Sequence, residues 1–581
     1  MQPQQRLAER LRDELSYLHD AGRAVVDRHP QLAPLLGATS DDPDVRHLTH
    51  AFAFLTARIQ LRLDDAAPEV VSGLTQVLAP QLLEGAPATS IVEFTPPLRA
   101  TRSVRTIPRG TALAAREVDG VSCRFRTCRD VQLVPAAIDQ VVLDGPTTAP
   151  VLRVQLVTNA SGKAAIPAAG ELEFHIHGDH GIATTLLLWL VRRCSAVTIA
   201  AGGAATRLPG SAVVARSDRG AILEWPGRAP PVFRRVLEAF VQPAGALFFA
   251  VRGLEGLEVA SDRIELAFHF REPLPTGVSV TRESLRLHCT PVVNLFAAPA
   301  IPVRIEPGRT RHLVRPSGFS PGHAEVARVT SVVGLGRPGD PRRRVYRDFF
   351  AFAEPIESPV ATNHSYVIHR SAGPYGAEMS LELTGPRDQT PPPVEQVLSV
   401  ELLCTNGDLV TQLHVGDIDR PGPDAPALPP LRNITPVTAP MAPAMDDTLR
   451  WRWVAQLSLA AGSIADASTL RATLSLFNLP GHLGRAEGIV VARQIAAIEA
   501  VESRTALRVI DGAPIRGLCT RVTIHDAGLA SVGEAFLLGQ LLDALLAAYV
   551  RADTFHALEV RVQPSGREIL WPARVGRRPL L

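Results

Sequence analysis

The placement of proline and glycine changes along the chain, and this change limits the possible folds more than any other feature of the sequence. From about residue 90 onward these residues recur at intervals of roughly 8 to 15, with short β-branched runs such as Ser90–Phe94 and Leu152–Val157 between them. Short apolar runs bounded by turn residues are typical of sheets with many turns. The first ~85 residues show helical spacing instead, so the sequence predicts an α+β chain that begins with helices.

Apolar residues at helical spacing predict three helices near the N-terminus. The second helix has the clearest start, because Asp42 can cap it and Pro43 fits its first position, where no backbone N–H is needed. The three apolar stripes are Leu7, Leu11, Leu15 and Leu18; Leu48, Phe52, Leu55, Ile59 and Leu63; and Val71, Leu74 and Leu78.

The second helix is the candidate for contact with another chain. Its apolar stripe is accompanied by basic residues on the other face, and such a helix can pack within its own chain or against a neighbour. Periodicity alone leaves both alternatives open. The candidate interface residues are Leu48, Phe52, Leu55, Ile59, Arg58 and Arg62.

The length and the changes in composition indicate several domains. A chain of 581 residues corresponds to about four domains at ~150 residues each. The predicted division is a helical region at 1–88, β-rich α+β domains at 89–284 and 285–418, and an α/β domain at 446–581. The proline-heavy stretch 419–445 has few apolar anchors and is interpreted as a linker or extended arm.

The C-terminal domain is predicted to alternate helices and strands. Ala467–Leu476 has helical spacing, and Gly488–Ala492 and Arg521–His525 are interpreted as strands. A strong helical pattern follows at Gly533–Val550. Leu558–Val562 and Glu568–Trp571 predict a closing hairpin.

Charge and hydropathy exclude several classes of protein. Lys and Arg number 60 against 58 Asp and Glu, which gives a net charge of +2 and no general field for nucleic acid or an anionic membrane. The apolar runs Ile182–Val191 and Phe536–Val550 are shorter than the ~20 residues that span a bilayer. The N-terminus has no apolar signal region. We therefore expect a cytoplasmic protein that binds no nucleic acid and does not insert into the membrane.

One histidine cluster is the best candidate for a metal site. On a strand, His175 and His177 would point to the same face, and His180 could return across the turn to complete a zinc site. The run matches no standard zinc spacing, and the same residues suit an ordinary junction between a strand and a turn. A metal-dependent enzyme built on these three histidines is thus one alternative.

A thiol enzyme that uses Cys289 is the other catalytic alternative. Nucleophilic catalysis needs a base beside the thiol, and His288 is adjacent in sequence. Neighbouring residues of a strand face opposite sides, so His288 is not expected to activate Cys289 directly. The sequence also lacks the phosphate-binding G-x-x-x-x-G-K-[ST] loop, the G-x-S-x-G elbow and the H-E-x-x-H motif.

Several segments together resemble the TssF (VasA/ImpG) family, a baseplate subunit of the bacterial type VI secretion system. The two most specific contain cysteine, Leu285–Phe296 and Leu402–Leu409. The other segments, in the same order as in the family, are Asp13–Leu18, His29–Ala33, Asp42–Val45, Ala51–Ile59, Pro108–Thr111, Cys123–Thr127, Leu172–Asp179, Arg516–Gly517, the 533–550 helix and Trp571–Leu581.

The resemblance implies a structural role and a fold like that of the wedge proteins of phage baseplates. It implies that two copies pair with one TssG-like subunit, around the VgrG spike hub, and connect to the TssK adaptor, TssE and the sheath. It implies no cofactor, no metal and no enzymatic activity. The expected place of action is a cytoplasmic baseplate docked at the inner-membrane complex.

Overall fold

The structure is a computed structural model and divides into two units. The first comprises Met1–Leu78 with Asp446–Val454, and the second Ala79–Met445 with Ala455–Leu581. The described residues are 11, 12, 15, 18, 47–58, 73, 75, 84–99, 101, 103–203, 205–217, 220–224, 231–306, 309–335, 343–350, 364–373, 376–384, 397–423, 425–443, 449, 451–453, 466–510, 512–550 and 553–576.

The first unit contains the second predicted helix. Residues 47–58, which we call α1, are helical. Leu11, Leu15 and Leu18 of the first stripe are also helical. Leu7, Ile59, Arg62, Leu63 and the third stripe lie outside the described residues. The unit differs from the predicted region 1–88, because a distant segment around residues 446–454 belongs to it.

Three sheets occupy the first half of the second unit. The six-stranded antiparallel sheet contains β1 (Thr89–Phe94), β3 (Ala112–Val118), β4 (Val121–Thr127), β15 (Cys289–Val293), β24 (Ile418–Pro421) and β25 (Leu431–Asn433). Its strand order is β24-β3-β4-β15-β1-β25. A five-stranded sheet contains β6 (Ala136–Asp144), β7 (Val151–Thr158), β9 (Cys194–Ala200), β10 (Thr206–Pro209) and β13 (Arg263–Phe270). Its strand order is β10-β9-β13-β7-β6. A four-stranded sheet contains β8 (Glu171–Ile176), β11 (Val213–Ala215), β12 (Phe248–Arg252) and β14 (Leu285–Leu287). Its strand order is β11-β12-β8-β14.

The remaining strands form an eight-stranded sheet, a five-stranded C-terminal sheet and a short pair. The eight-stranded sheet contains β16 (Phe296–Pro299), β17 (Val303–Arg304), β18 (Arg311–Val314), β19 (Glu325–Leu335), β20 (Arg343–Asp348), β21 (Ser365–Gly373), β22 (Gly376–Thr384) and β23 (Val397–Thr405). Its strand order is β16-β23-β19-β20-β21-β22-β18, and β17 pairs with β23. The C-terminal sheet contains β26 (Ile498–Ile510), β27 (Ala513–His525), β28 (Phe555–Gln563), β29 (Arg567–Leu570) and β30 (Arg574–Val575). Its strand order is β26-β27-β28-β29, and β30 pairs with β28. β2 (Arg105–Ile107) pairs with β5 (Val131–Leu133).

The helices of the second unit flank these sheets. They are α2 (Gly162–Ala169), α3 (His180–Leu188), α4 (Pro231–Val241), α5 (Ala467–Leu476), α6 (Leu479–His482), α7 (Ala486–Ala496) and α8 (Val532–Ala548). The predictions at Ala467–Leu476 and Gly533–Val550 are confirmed. The strand predicted at Gly488–Ala492 is wrong, because these residues lie inside α7. A short apolar run has no periodicity that separates a strand from a helix.

The proline-rich stretch 419–445 is not a linker, and this prediction requires correction. β24 pairs with β3 and β25 pairs with β1, so the stretch supplies both edge strands of the six-stranded sheet. Prolines are compatible with edge strands because the outer side of an edge needs no ladder donor. Leu431 is buried in the core of that sheet together with Ile418, the first residue of β24. The proline-rich composition therefore gave no indication that this stretch contains two strands.

The predicted boundary between residues 284 and 285 also falls within the sheets. β14 pairs with β8, and β15, two residues later, pairs with β1 and β4. His288 stands between the two strands with φ of 55°, in the left-handed region. The chain turns there from the four-stranded sheet to the six-stranded sheet, so the segment joins the two sheets instead of separating two domains.

Two buried asparagines join the two most specific motifs. Asn294 Nδ2 donates to the Arg124 carbonyl (2.7 Å) and to Asn406 Oδ1 (2.9 Å), and Asn294 Oδ1 accepts from the Asn406 backbone N–H (2.7 Å). Asn406 Oδ1 also accepts from the Arg124 N–H (2.9 Å), and Asn406 Nδ2 donates to the His323 carbonyl (3.1 Å). Both asparagines are 0% exposed. The pair follows β15 and β23, and so it ties the six-stranded sheet to the eight-stranded sheet.

Removal of either asparagine is expected to destabilise the second unit. Asn294→Ala leaves the Asn406 N–H and the Arg124 carbonyl without these partners, and each buried unpaired group costs about 1–3 kcal/mol of unfolding free energy. Urea denaturation followed by circular dichroism measures the loss, with Gln132→Ala at an exposed position as the control. Loss of less than about 0.5 kcal/mol, the usual range of surface substitutions, in both Asn294→Ala and Asn406→Ala would contradict this role.

Candidate protein interface

α1 exposes its large apolar side chains, whereas two of its alanines are buried. Leu48, Phe52 and Leu55 are 76%, 61% and 55% exposed, whereas Ala53 and Ala57 are 0% exposed. Successive residues of a helix are about 100° apart, so the two sets lie on nearly opposite faces. The exposed residues follow the i, i+4, i+7 spacing that makes one continuous stripe.

The outward stripe is a candidate docking surface. A contiguous exposed apolar patch on a folded protein usually marks an interaction site. Arg58 is exposed on the same helix, and arginine is enriched at interfaces. Ile59 and Arg62, the other candidate residues, lie outside the described part of the chain.

The three histidines of the metal hypothesis are placed differently from one another. His175 is buried, and its ring lies 4.6 Å from that of Phe248 and 6.3 Å from that of His177. His180 is at the start of α3, and its Nε2 lies 3.3 Å from Glu534 Oε1 on α8. Burial lowers the pKa of His175 to about 3, with a smaller contribution from His177. In the described ranges, no group of three or more His, Cys, Asp or Glu residues is arranged to hold a metal ion.

Cys289 and His288 have separate structural roles. Cys289 is buried, and burial raises its pKa well above the ordinary value, which keeps the thiol protonated and unreactive. His288 Nε2 accepts the Val134 backbone N–H at 3.2 Å. Burial lowers the pKa of His288 to about 4, so the ring is neutral and can accept this bond. These environments do not form a thiol–imidazole pair.

A cleft between α4 and α8 contains an acid that sequence reasoning missed. Glu238 Oε1 accepts the backbone N–H groups of Ile222 (2.9 Å) and Leu223 (2.8 Å). Burial raises the pKa of Glu238, and the two backbone hydrogen bonds oppose that shift. The Glu238 carboxyl therefore stabilises the backbone at Ile222 and Leu223, because it accepts hydrogen bonds from both of their N–H groups.

The last family-like segment is also explained by packing. The Trp571 ring stacks on Phe536 of α8 with centroids 6.0 Å apart. Arg574 Nε lies 2.7 Å from Asp543 Oδ2, and Asp543 is 0% exposed. Burial raises the pKa of Asp543, whereas Arg574 and Arg192 lower it. This segment thus holds α8 against the C-terminal sheet.

The mixed α+β fold and the exposed apolar stripe of α1 are typical of a subunit that assembles with other proteins. None of the helices in the described ranges has the length and apolar character that a bilayer crossing needs. Comparisons with known proteins identify the assembly.

The chain belongs to the TssF family of the type VI secretion system and is a structural component of its baseplate. The family described as "Type VI secretion system, TssF" matches residues 3–578. The "Type VI secretion system component TssF1" of Pseudomonas aeruginosa is 26% identical over 627 residues, which cover 99% of this chain and 100% of that protein.

Two solved structures are similar along almost the whole chain. A chain of the TssK-TssF-TssG baseplate subcomplex, determined by cryo-electron microscopy, superposes with a TM-score of 0.78 at 26% identity and covers 92% of this chain and 99% of its own. A chain of the baseplate complex from the type VI secretion system gives a TM-score of 0.62 at 25% identity and covers 99% of each. The mixed α+β multidomain fold predicted from the sequence is confirmed.

Buried histidines predict a loss of stability in acid. Burial lowers the pKa values of His175, His288 and His556 from 6.5 to about 3, 4 and 4. Below pH 6.5 the unfolded chain binds protons at these positions while the folded chain does not, so the free energy of unfolding falls as pH falls. The fall continues until the pH approaches the folded-state pKa values.

The test is urea denaturation between pH 6.5 and pH 4.5. His175→Leu is expected to make the pH dependence shallower by up to about 1.4 kcal/mol per pH unit. His414→Gln, at an exposed position, is the control. An unchanged slope in His175→Leu would show that His175 is not held neutral in the folded state.

Proposed function

We propose that this chain holds its neighbours in the baseplate through packed surfaces, and that the outward face of α1 is one of those surfaces. The observation that carries the proposal is that α1 buries Ala53 and Ala57 on one face and exposes Leu48, Phe52 and Leu55 on the other. Exposed aliphatic and aromatic side chains lose contact with water when a partner covers them, and this burial stabilises an assembly.

The partner proposed for this face is a TssG-like subunit, with two copies of this chain for each copy. Support comes from the similar chain in the TssK-TssF-TssG subcomplex. We further propose contacts with a TssK-like adaptor, a TssE-like subunit, the sheath and a VgrG-like spike hub. The place of action would be the cytoplasmic side of the inner-membrane complex.

We also propose that the chain works without catalysis. The members of its family are structural components of the baseplate. The candidate residues His175, His180 and Cys289 contact or are buried among other side chains of the fold. Burial keeps the Cys289 thiol protonated, and His180 faces Glu534 on a neighbouring helix. Both features support a scaffold over an enzyme.

A charged residue in the α1 stripe is expected to prevent partner binding without unfolding the chain. Phe52→Asp and Leu55→Asp change side chains that are exposed in the isolated chain, whereas the complex would bury an unpaired carboxylate at a cost of several kcal/mol. Co-expression with TssG-like and TssK-like partners, followed by co-purification and native mass spectrometry, measures assembly.

The matched control is His47→Asp, which places the same charge on an exposed side of the same helix, away from both the apolar stripe and the buried alanines. It should assemble normally. Circular dichroism separates a folded variant that lost its partner from a misfolded one. Undiminished complex formation by both Phe52→Asp and Leu55→Asp would remove this face from the proposed interface.

The purified chain is expected to contain no stoichiometric zinc, and His177→Ala should leave its metal content unchanged. Three histidines that do not converge cannot supply the tetrahedral ligand set of zinc. Elemental analysis of protein purified without chelators measures this. One zinc per chain, lost in His177→Ala, would favour the metal-dependent enzyme instead.

A further inference from the structure

The cleft between α4 and α8 has room for a small molecule. It contains about 840 Å³ of empty space, including its open mouth, which is within the usual range of ligand clefts. Its walls come from α4 and α8, from the short 3-10 helix Pro243–Ala246 and from Ser217 and Ile222. All of these elements belong to the second unit, so the cleft is formed within one body of the chain.

One part of the wall is apolar. Leu538 and Leu541 of α8 and Phe240 of α4 line the cleft and are 7%, 8% and 7% exposed. Leu537 and Ala239 of the same two helices also line it and are half-buried. An alkyl chain placed against these side chains would leave water, and that transfer is favourable. The cleft therefore suits a ligand with an apolar body.

Gln242, which follows α4 and lines the cleft, has a hydrogen-bond donor that the described part of the chain does not use. The residue is 5% exposed, and its buried Nε2 has no hydrogen-bond partner among the described residues. Its backbone is fixed, because its N–H donates to the Glu238 carbonyl (2.8 Å) and its carbonyl accepts from the Gly245 N–H (3.0 Å). A buried amide donor without a partner is costly, so an acceptor from outside the chain would stabilise it.

A fixed cation lies beside Gln242. Arg129 is 7% exposed and lines the same cleft. Its Nη2 donates to the Gly245 carbonyl at 3.2 Å, and its Cζ lies 5.1 Å from the centroid of the Phe248 ring. Gly245 therefore bonds to both residues, because its N–H donates to the Gln242 carbonyl. Since arginine stays charged at physiological pH, this end of the cleft combines a positive charge with a neutral donor.

Two acidic side chains also line the cleft, and both are engaged by the protein itself. Glu238 Oε1 accepts two backbone N–H groups and lies 3.6 Å from Arg234 Nε. Glu534 of α8 accepts from the Ala530 backbone N–H and lies 3.3 Å from His180 Nε2. Neither carboxylate is a partner of the buried amide donor, so an acceptor from outside the chain has a place to bind.

We propose that this cleft binds a small apolar carboxylate, such as a medium-chain fatty acid. The alkyl chain packs against Leu538, Leu541 and Phe240, and the carboxylate accepts from Gln242 Nε2 and pairs with the charge of Arg129. A hydrocarbon would leave the amide donor unsatisfied, and an ammonium ion would be repelled by the guanidinium. A carboxylate satisfies the donor and the charge together.

This site is independent of the proposed scaffold function. It lies in the second unit, whereas α1 belongs to the first, and it needs neither a TssG-like nor a TssK-like partner. Ligand binding is measured on the isolated full-length chain, and assembly is measured on the co-expressed complex. Failure of one proposal is therefore distinguished from failure of the other.

Isothermal titration calorimetry of the full-length chain tests the ligand class. Octanoate is the probe, octanol has the same chain without the charge, and acetate has the charge without the chain. Octanoate is expected to bind about tenfold tighter than either, because it alone of the three uses both the apolar wall and the charged end. Absence of octanoate binding, or equally tight binding of octanol or acetate, would overturn the proposal.

Two substitutions locate the site. Gln242→Leu removes the donor at similar size, so the affinity for octanoate should fall several-fold while the affinity for octanol stays unchanged. Ala239→Phe fills the cleft and should abolish octanoate binding, with Ala492→Phe at an exposed position of α7 as the matched control. Circular dichroism confirms that each variant is folded. Undiminished octanoate binding by a folded Ala239→Phe variant, or by a folded Gln242→Leu variant, would show that the carboxylate does not bind as proposed.

Discussion

The reciprocal hydrogen bonding of Asn294 and Asn406 is the contact on which the architecture of the second unit depends. Each asparagine follows a strand of a different sheet, and together they also satisfy the backbone N–H and carbonyl of Arg124. In a dry interior an unpaired amide is costly, so these two loops have one favourable relative position. The pair therefore fixes how two large sheets meet, a geometry that apolar packing alone leaves less specific.

This interaction explains why the two most family-like segments contain asparagine just after a buried strand. Sequence reasoning identified the segments by resemblance, but it could not show that they meet, because they are more than a hundred residues apart. Local periodicity did reveal α1, α5 and α8, where helical spacing is strong. It failed at Gly488–Ala492 and at 419–445, where the outcome is set by distant partners such as β1 and β3.

The candidate interface was predictable in part for the same reason. The stripe Leu48, Phe52 and Leu55 follows from spacing, whereas its exposure does not, because spacing describes a face without its partner. The structure decides this point, because Ala53 and Ala57 on the opposite face are buried while the larger side chains are exposed. Edge strand β26 was missed altogether, since strand order in a sheet is a tertiary property.

The proposed α1 contact breaks a rule that governs a self-sufficient globular chain. Such a chain buries its largest apolar side chains, whereas α1 exposes phenylalanine and leucine. An exposed apolar stripe on a free subunit invites nonspecific association. Retention of this stripe in a baseplate subunit is therefore best explained by a neighbour that covers it, because burial in a complex removes the same side chains from water.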